Sequence, residues 1–289
     1  MKPCCLEDIL KLAEGKPPKR MVVTGQSSRA AMVAVMQSQE LGLINPFFCD
    51  AERLNVKTDK DKRFAETDSV NTIEQACAMI AKNEADILFN GGPLTPSFFK
   101  QLTETDSPRK RAINYVSVFV APKDRRLTLM TDAVVNSQPE LKSKIAMLEN
   151  TISVAKALGI EAPNVAALAP LELVNPAIRS TVDAAILSKM SQRGQFGNAL
   201  VEGPLAMDNA ESASAARHKG IESPVPGNVD IYLFPDIESA NITAQFLSRV
   251  FNVGFAGILT GAKVPTVIQP PIEQSDSWLI NIALAVLLV

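Results

Sequence analysis

A chain of 289 residues, 46% of them hydrophobic, is long enough to bury a large core and, at about 100 to 200 residues per domain, to form two domains. A net charge of -2 and a pI near 5.6 exclude a general nucleic-acid or anionic-membrane surface, which needs a strongly basic face. Four cysteines without C-x-x-C spacing read as reduced thiols, so neither a metal centre nor a disulfide frame is expected.

The opening segment MKPCCLEDILKLAEG has no apolar stretch behind a basic start, so no secretory signal is expected and the protein is placed in the cytoplasm. From residue 20 onward, short apolar runs bounded by turn residues alternate with stretches of helical period, the pattern of an α/β protein with mostly parallel strands. The expected strands are RMVV, ADILF, YVSVF, RLTLM, NVAAL, NALVE, VDIYLF, FAGIL and TVI. The expected helices are RAAMVAVMQSQELG, PELKSKIAMLENTISVAKALG, STVDAAILSKMSQRG, NAESASAARHKG and SANITAQFLSRVF.

Two early strands run into glycine- and hydroxyl-bearing turns, TGQSSRAA and NGGPLTPS. Such junctions aim backbone N–H groups and the positive end of a helix at one point, which suits phosphate or carboxylate. The plainer account is that Gly25, Gly91 and Gly92 permit tight turns while Ser27 or Thr95 caps a helix. Neither turn has the G-x-G-x-x-G or G-x-x-x-x-G-K-[ST] spacing.

The clearest helix carries Leu141, Ile145, Leu148, Ile152, Ala155 and Leu158 on one stripe. Ser137 and Glu140 are spaced as a capping box at its start, and Gly159 stands where such helices end. The lone histidine, His218, falls just before Gly220 and is expected to serve the end of a helix, so a Ser-His-Asp triad or a histidine-rich metal centre is not expected. Acid or base work then falls to carboxylates. VEGPLAMDNA places Glu202, Gly203, Pro204, Asp208 and Asn209 directly after a strand, and FPDIESANIT does the same with Asp236, Glu238 and Asn241. The carboxyl ends of strands are where open α/β sheets bind ligands, although Asp208 and Asp236 also suit helix caps. The tail WLINIALAVLLV is far shorter than the roughly 20 apolar residues of a membrane span and reads as the end of a core helix.

Taken in order, LTLMTDAVVN, LVNPAIRSTVDAAILSKM, VEGPLAMDNA, ARHKGIESPVPGNVDIYLFPDIESANI and GILTGAKVP resemble the phosphate acetyl/butyryltransferases, most closely the phosphate butyryltransferase branch. The resemblance covers residues 115 to 289 well and the first hundred loosely. It implies a two-lobed α/β/α fold like that of the isocitrate and isopropylmalate dehydrogenases, with a cleft between the lobes. One lobe would hold residues 1–132 plus 265–289, and the other, through which the family usually dimerises, 133–264. It further implies transfer of a short acyl group between coenzyme A and inorganic phosphate, giving or consuming an acyl phosphate, with coenzyme A as a substrate and no resident cofactor or metal. A homodimer is expected, and no nucleic-acid or membrane partner. A protein of the same fold that holds acyl-CoA without turnover is the other reading.

Carried over by position, Asp276 is the candidate base and Ser275 a donor to the oxyanion. Thr131, Asn136, Gly203, Pro204, Asp208, Glu238, Asn241, Gly261, Lys263 and Arg29 are candidates for substrate and phosphate contacts. The family's Ser-Arg pair falls on Pro270 and Pro271, its usual lysine in M-K-G on Asn90, and the glycine of E-A-G-N on Ala240.

Overall fold

The computed structural model describes residues 4–25, 28–49, 69–105, 112–123, 125–270, 272 and 277–289. Its elements are α1 (Glu7–Ala13), β1 (Lys19–Thr24), α2 (Arg29–Glu40), β2 (Ile44–Phe48), α3 (Ser69–Ala81), β3 (Ile87–Asn90), α4 (Pro96–Thr105), β4 (Asn114–Val120), β5 (Leu127–Thr131) and α5 (Leu141–Ala157). There follow β6 (Asn164–Leu168), α6 (Arg179–Gln192), β7 (Leu200–Leu205), α7 (Met207–Glu211), α8 (Ala213–His218), β8 (Ile231–Leu233), α9 (Ile237–Val250), β9 (Phe255–Thr260), β10 (Thr266–Val267) and α10 (Trp278–Leu287). Among the described residues no helix is long and apolar enough to cross a membrane.

The chain divides into two compact units. One comprises Ile9–Ile113 and Gly257–Val289, the other Met1–Asp8 and Asn114–Ala256. In the first, the strand order is β2-β1-β3-β10-β9. There β1 runs parallel to β2 and β3, with Val22 opposite Phe47 and Leu88, and β10 runs parallel to β3 but antiparallel to β9. In the second the order is β4-β5-β8-β6-β7, with β4 antiparallel to β5 and the other neighbours parallel. β3 and β5 are buried along their whole length, as strands covered on both faces must be.

The apolar runs all become strands, and β2 is an addition to them. Its sequence INPFF carries a proline, which argues against a central strand; β2 sits at the sheet edge, where the donor missing from Pro46 is tolerated. Stretch 209–220 is not one helix. Ser212 stays extended (φ −137°) and its hydroxyl accepts the Ala215 N–H at 3.2 Å, so α7 stops and α8 begins at a cap.

α5 starts later than its capping box implies. Glu140 occupies the N-cap position without a side-chain bond, and the Ser137 carbonyl instead accepts the Ile237 N–H at 3.1 Å, which draws Ser137 toward α9. The other end behaves as expected, with Gly159 at φ +81°. Leu148, Ile152, Ala155 and Leu158 of its stripe are buried. α10 is apolar nearly all round, and its one polar interior residue has full employment: Asn281 Oδ1 accepts the Gly257 N–H at 2.8 Å and its Nδ2 donates to the Ile268 carbonyl at 3.3 Å. Removing water from that amide without partners would cost roughly 1–3 kcal/mol.

Candidate active site

Because β5, β8, β6 and β7 run parallel, their carboxyl ends share one edge of the second unit's sheet, and the loops that follow them meet there. The turns after β5 and β8 are tied together. The Phe234 N–H donates to the Thr131 carbonyl at 2.9 Å, and Asn241 Nδ2 donates to the Ala133 carbonyl at 2.9 Å. Within the first turn Asp132, 2% exposed, accepts the N–H groups of Val134 and Val135 on Oδ1 (2.9 and 3.1 Å), and the N–H and Nδ2 of Asn136 on Oδ2 (3.1 and 2.6 Å). Burial pushes this carboxyl above the usual range, while the same four donors pull it back.

Thr131 and Asn136 thus take different positions. The Thr131 hydroxyl is fully buried, donating to the Tyr115 carbonyl at 3.1 Å and accepting from Asn114 Nδ2 at 2.9 Å, so it supports the turn from behind. Asn136 is half-buried and closes the turn through Asp132. After β8, Asp236 caps α9 by accepting the Ser239 N–H and hydroxyl, both at 2.8 Å. Glu238 is exposed in the first turn of that helix, and Ala240, where the family has glycine, fits with its methyl completely buried.

Beyond β6 and β7 a second cluster forms. Lys219 Nζ lies 3.1 Å from Glu172 Oε2 and 3.2 Å from Asp208 Oδ2, and Asn209 Nδ2 donates to Glu172 at 3.3 Å. The ammonium holds the Asp208 carboxyl below its ordinary range and is itself raised by Glu172 and then Asp208; Glu172 is lowered first by its own backbone N–H and then by Lys219. His218 stays exposed at the end of α8, outside this cluster. Lys219 gave no sequence signal because its partner Glu172 is 47 positions away.

Gly203 in β7 is required by packing. A Cβ there would sit 2.8 Å from both the Ala167 carbonyl oxygen and its Cβ, and 3.1 Å from the Ala184 Cβ. Gly203→Ala is therefore expected to cost about 1–3 kcal/mol, measured as a lower urea midpoint at unchanged slope. A midpoint equal to that of the native chain would show that the β6–β7 contact is looser than described.

In the other unit, β1 and β3 end side by side in the two glycine turns. A Cβ on Gly25 would lie 2.5 Å from the Gly92 nitrogen, and one on Gly91 2.5 Å from the Gly25 carbonyl oxygen, so these glycines serve close backbone approach. Asn90 organises the turn: its Oδ1 accepts the Gly92 N–H at 3.1 Å. Thr95 caps α4 through the Phe98 N–H at 3.2 Å, and Ser28 caps α2 through the Ala31 N–H at 3.1 Å, while Ser27 lies outside the described residues. A small pocket at this end is lined by Gly25, Thr72, Asn90, Gly92, Thr95 and Gln101. Arg29 is exposed at the first position of α2.

β10 runs parallel to β3, which separates two groups of candidates. Gly261 and Lys263 precede β10 and lie at the amino end of β3, where Lys263 Nζ donates to the Ala81 carbonyl at 2.9 Å. Pro270 follows β10 and is buried toward the carboxyl end, on the side of the glycine turns. The structure therefore does not bring Lys263 to Arg29 and Asn90. Pro271, Ser275 and Asp276 lie outside the described residues.

The family profile described as Phosphate acetyl/butaryl transferase matches residues 51–286. The chain belongs to this family. The phosphate butyryltransferase of Clostridium beijerinckii is 30% identical to it over 97% of this chain and 96% of its own length. That of Clostridium acetobutylicum is 38% identical over 74% of this chain and 71% of its own. A crystal structure of a branched-chain phosphotransacylase from Enterococcus faecalis, 24% identical, superposes with a TM-score of 0.76 over 93% of this chain and 99% of that one, and so shares its fold. The chain is accordingly a phosphate acyltransferase of mixed α/β fold, and three of the five family-like segments of its sequence run across the carboxyl ends of β5, β7 and β8, while a fourth begins in the loop after β6. Asp132, like Lys219 and Glu172, was passed over in the sequence; its cue was the D-x-x-x-N spacing of TDAVVN, in which one carboxylate can gather the amides of its own turn.

Proposed function

We propose that this phosphate acyltransferase exchanges a short acyl group between coenzyme A and inorganic phosphate, with coenzyme A as a substrate. The match to the family through residues 51–286 carries this reading. In one direction a phosphate oxygen attacks the thioester carbonyl, the C–S bond breaks, and the thiolate of coenzyme A leaves and takes up a proton. In the other, the thiol must first lose that proton, and at a pKa of about 8.5 it is only a few per cent ionised at neutral pH. Asp276 is the base in this scheme and Ser275 donates to the oxyanion of the tetrahedral intermediate. The substrate-facing candidates at the strand ends are Asn136, Pro204, Asp208, Glu238 and Asn241, with Gly203 shaping the backbone beside them. Arg29 and Asn90 border the glycine turns. With proline at 270 and 271, phosphate is held without the arginine fork of the family's usual pair.

The reading is tested by phosphate-dependent release of coenzyme A from acetyl-, propionyl-, butyryl- and isobutyryl-CoA. Turnover with at least one thioester is expected. Thermal stabilisation by these thioesters without any phosphate-dependent release would replace the reading with a binding protein of the same fold.

We further propose a homodimer. Ile242, Phe246 and Val250 stand one turn apart on α9 at 69%, 53% and 62% exposure, and Phe251, 5.3 Å from Phe246 ring to ring, extends the stripe. An apolar stripe of this kind is more often covered than left in water. Light scattering should give twice the chain mass, and Phe246→Glu with Val250→Glu should give the monomer. A mass unchanged by that pair would remove α9 from the interface.

A further inference from the structure

At the start of the chain the structure brings three metal-ligating atoms together where the sequence suggested only two idle thiols. The sulfurs of Cys4 and Cys5 and a carboxylate oxygen of Asp8 all lie within 4.8 Å of one another. Cys4 is exposed, Cys5 half-buried and Asp8 buried, so the group is anchored on one side and open on the other. We propose that Cys4, Cys5 and Asp8 form a binding site for a thiophilic divalent cation of the zinc and cadmium class, independent of acyl transfer.

The geometry is close to what such an ion needs. Bonds of about 2.3 Å to sulfur and about 2.0–2.2 Å to oxygen at tetrahedral angles put ligand atoms roughly 3.5 to 3.8 Å apart. Cys4 Sγ already lies 3.3 Å from Asp8 Oδ2, and the remaining separations close by rotation of exposed or half-exposed side chains. The carboxylate is held in place beforehand, since its Oδ2 accepts the N–H groups of Cys4 (2.9 Å) and Cys5 (3.3 Å). Support of this kind behind a ligand raises affinity.

Capping of the first turn accounts for the oxygen and for a weak S–H···O bond from Cys4; a bound ion would use both sulfurs together. The local charge also suits a cation, since the Glu7 and Asp8 carboxylates lie beside the thiols. Each thiol gives its proton to solvent as its sulfur takes the metal, and the ion's fourth position remains for water. Two thiolates with one carboxylate select zinc or cadmium over magnesium or calcium, which prefer oxygen.

The test uses the reduced, metal-free full chain titrated with Cd2+ alone, read by thiolate-to-cadmium charge-transfer absorption, and with Zn2+ against a chromophoric chelator. One ion per chain is expected. Cys4→Ser and Cys5→Ser should each lose most of the absorption, and Asp8→Asn, which keeps an acceptor for the two N–H groups, should weaken binding at least about tenfold. Cys49→Ser and Cys77→Ser should leave it unchanged. Bound Cd2+ should also shield Cys4 and Cys5 of the native chain from alkylation, read by peptide mass, which needs no variant to fold. Absence of the absorption, its survival in the Cys4→Ser/Cys5→Ser chain, or equal alkylation with and without Cd2+ would each overturn the proposal.

Discussion

Asp276→Asn is expected to lower phosphate-dependent release of coenzyme A by about two to four decades in kcat, the usual worth of a positioned general base. Asparagine keeps the size of the side chain and a hydrogen-bonding carbonyl, so substrate should still bind. It cannot take the proton of a thiol. The loss should therefore appear in kcat and equally in kcat/KM, with KM little changed. The residue stands two positions before α10, and the start of that helix is anchored. Gln269 Nε2 donates to Ser277 Oγ at 3.2 Å, Trp278 packs on Phe89 with ring centres 4.8 Å apart, and Asn281 clips the first turns to Gly257 and Ile268. Turnover within a factor of a few of the native enzyme would assign the proton transfer to another group.

The second large effect concerns stability. Lys144 of α5 and Asp183 of α6 form an ion pair at 2.8 Å with their side chains only 6% and 7% exposed, and exposed Arg179 approaches the same Asp183 oxygen at 3.6 Å. Removing one partner leaves a charge in a dry interior, so single substitutions should cost about 3–5 kcal/mol. Asp183→Ala should be the worse of the two, because Lys144→Ala still leaves Asp183 the Arg179 guanidinium. Replacing both, as Lys144→Met with Asp183→Leu, should recover most of the loss, since two apolar side chains of similar size need no partner in the interior. Urea unfolding of the three variants measures this directly. Single substitutions costing under 1 kcal/mol, or a double variant as unstable as the worse single, would mean that water reaches the pair.

How much of this was readable beforehand depends on the range over which each interaction acts. The strand runs, Gly159 at the end of α5 and the apolar α10 were legible because burial of a face repeats along the chain with the period of the element itself. The break at Ser212 and the failure of the Ser137–Glu140 box were not, since a serine's choice between capping and continuing is made by what lies beside it. The candidate site divides in the same way. Its loops were found as strand ends, yet the fact that Thr131 points into the core while Lys263 sits at the opposite edge from Asn90 follows only from strand order and direction.

By itself, then, the order of residues determined the family, the alternation of strands and helices, and the loops in which chemistry resides, because each is written in short segments of fixed spacing. Only the tertiary structure decided which side chains meet: Lys219 with Glu172, Lys144 with Asp183, Asn241 with the turn after β5. Those pairings join residues 39 to 108 positions apart, and their energy depends on separation in space and on exclusion of water, neither of which a local pattern contains.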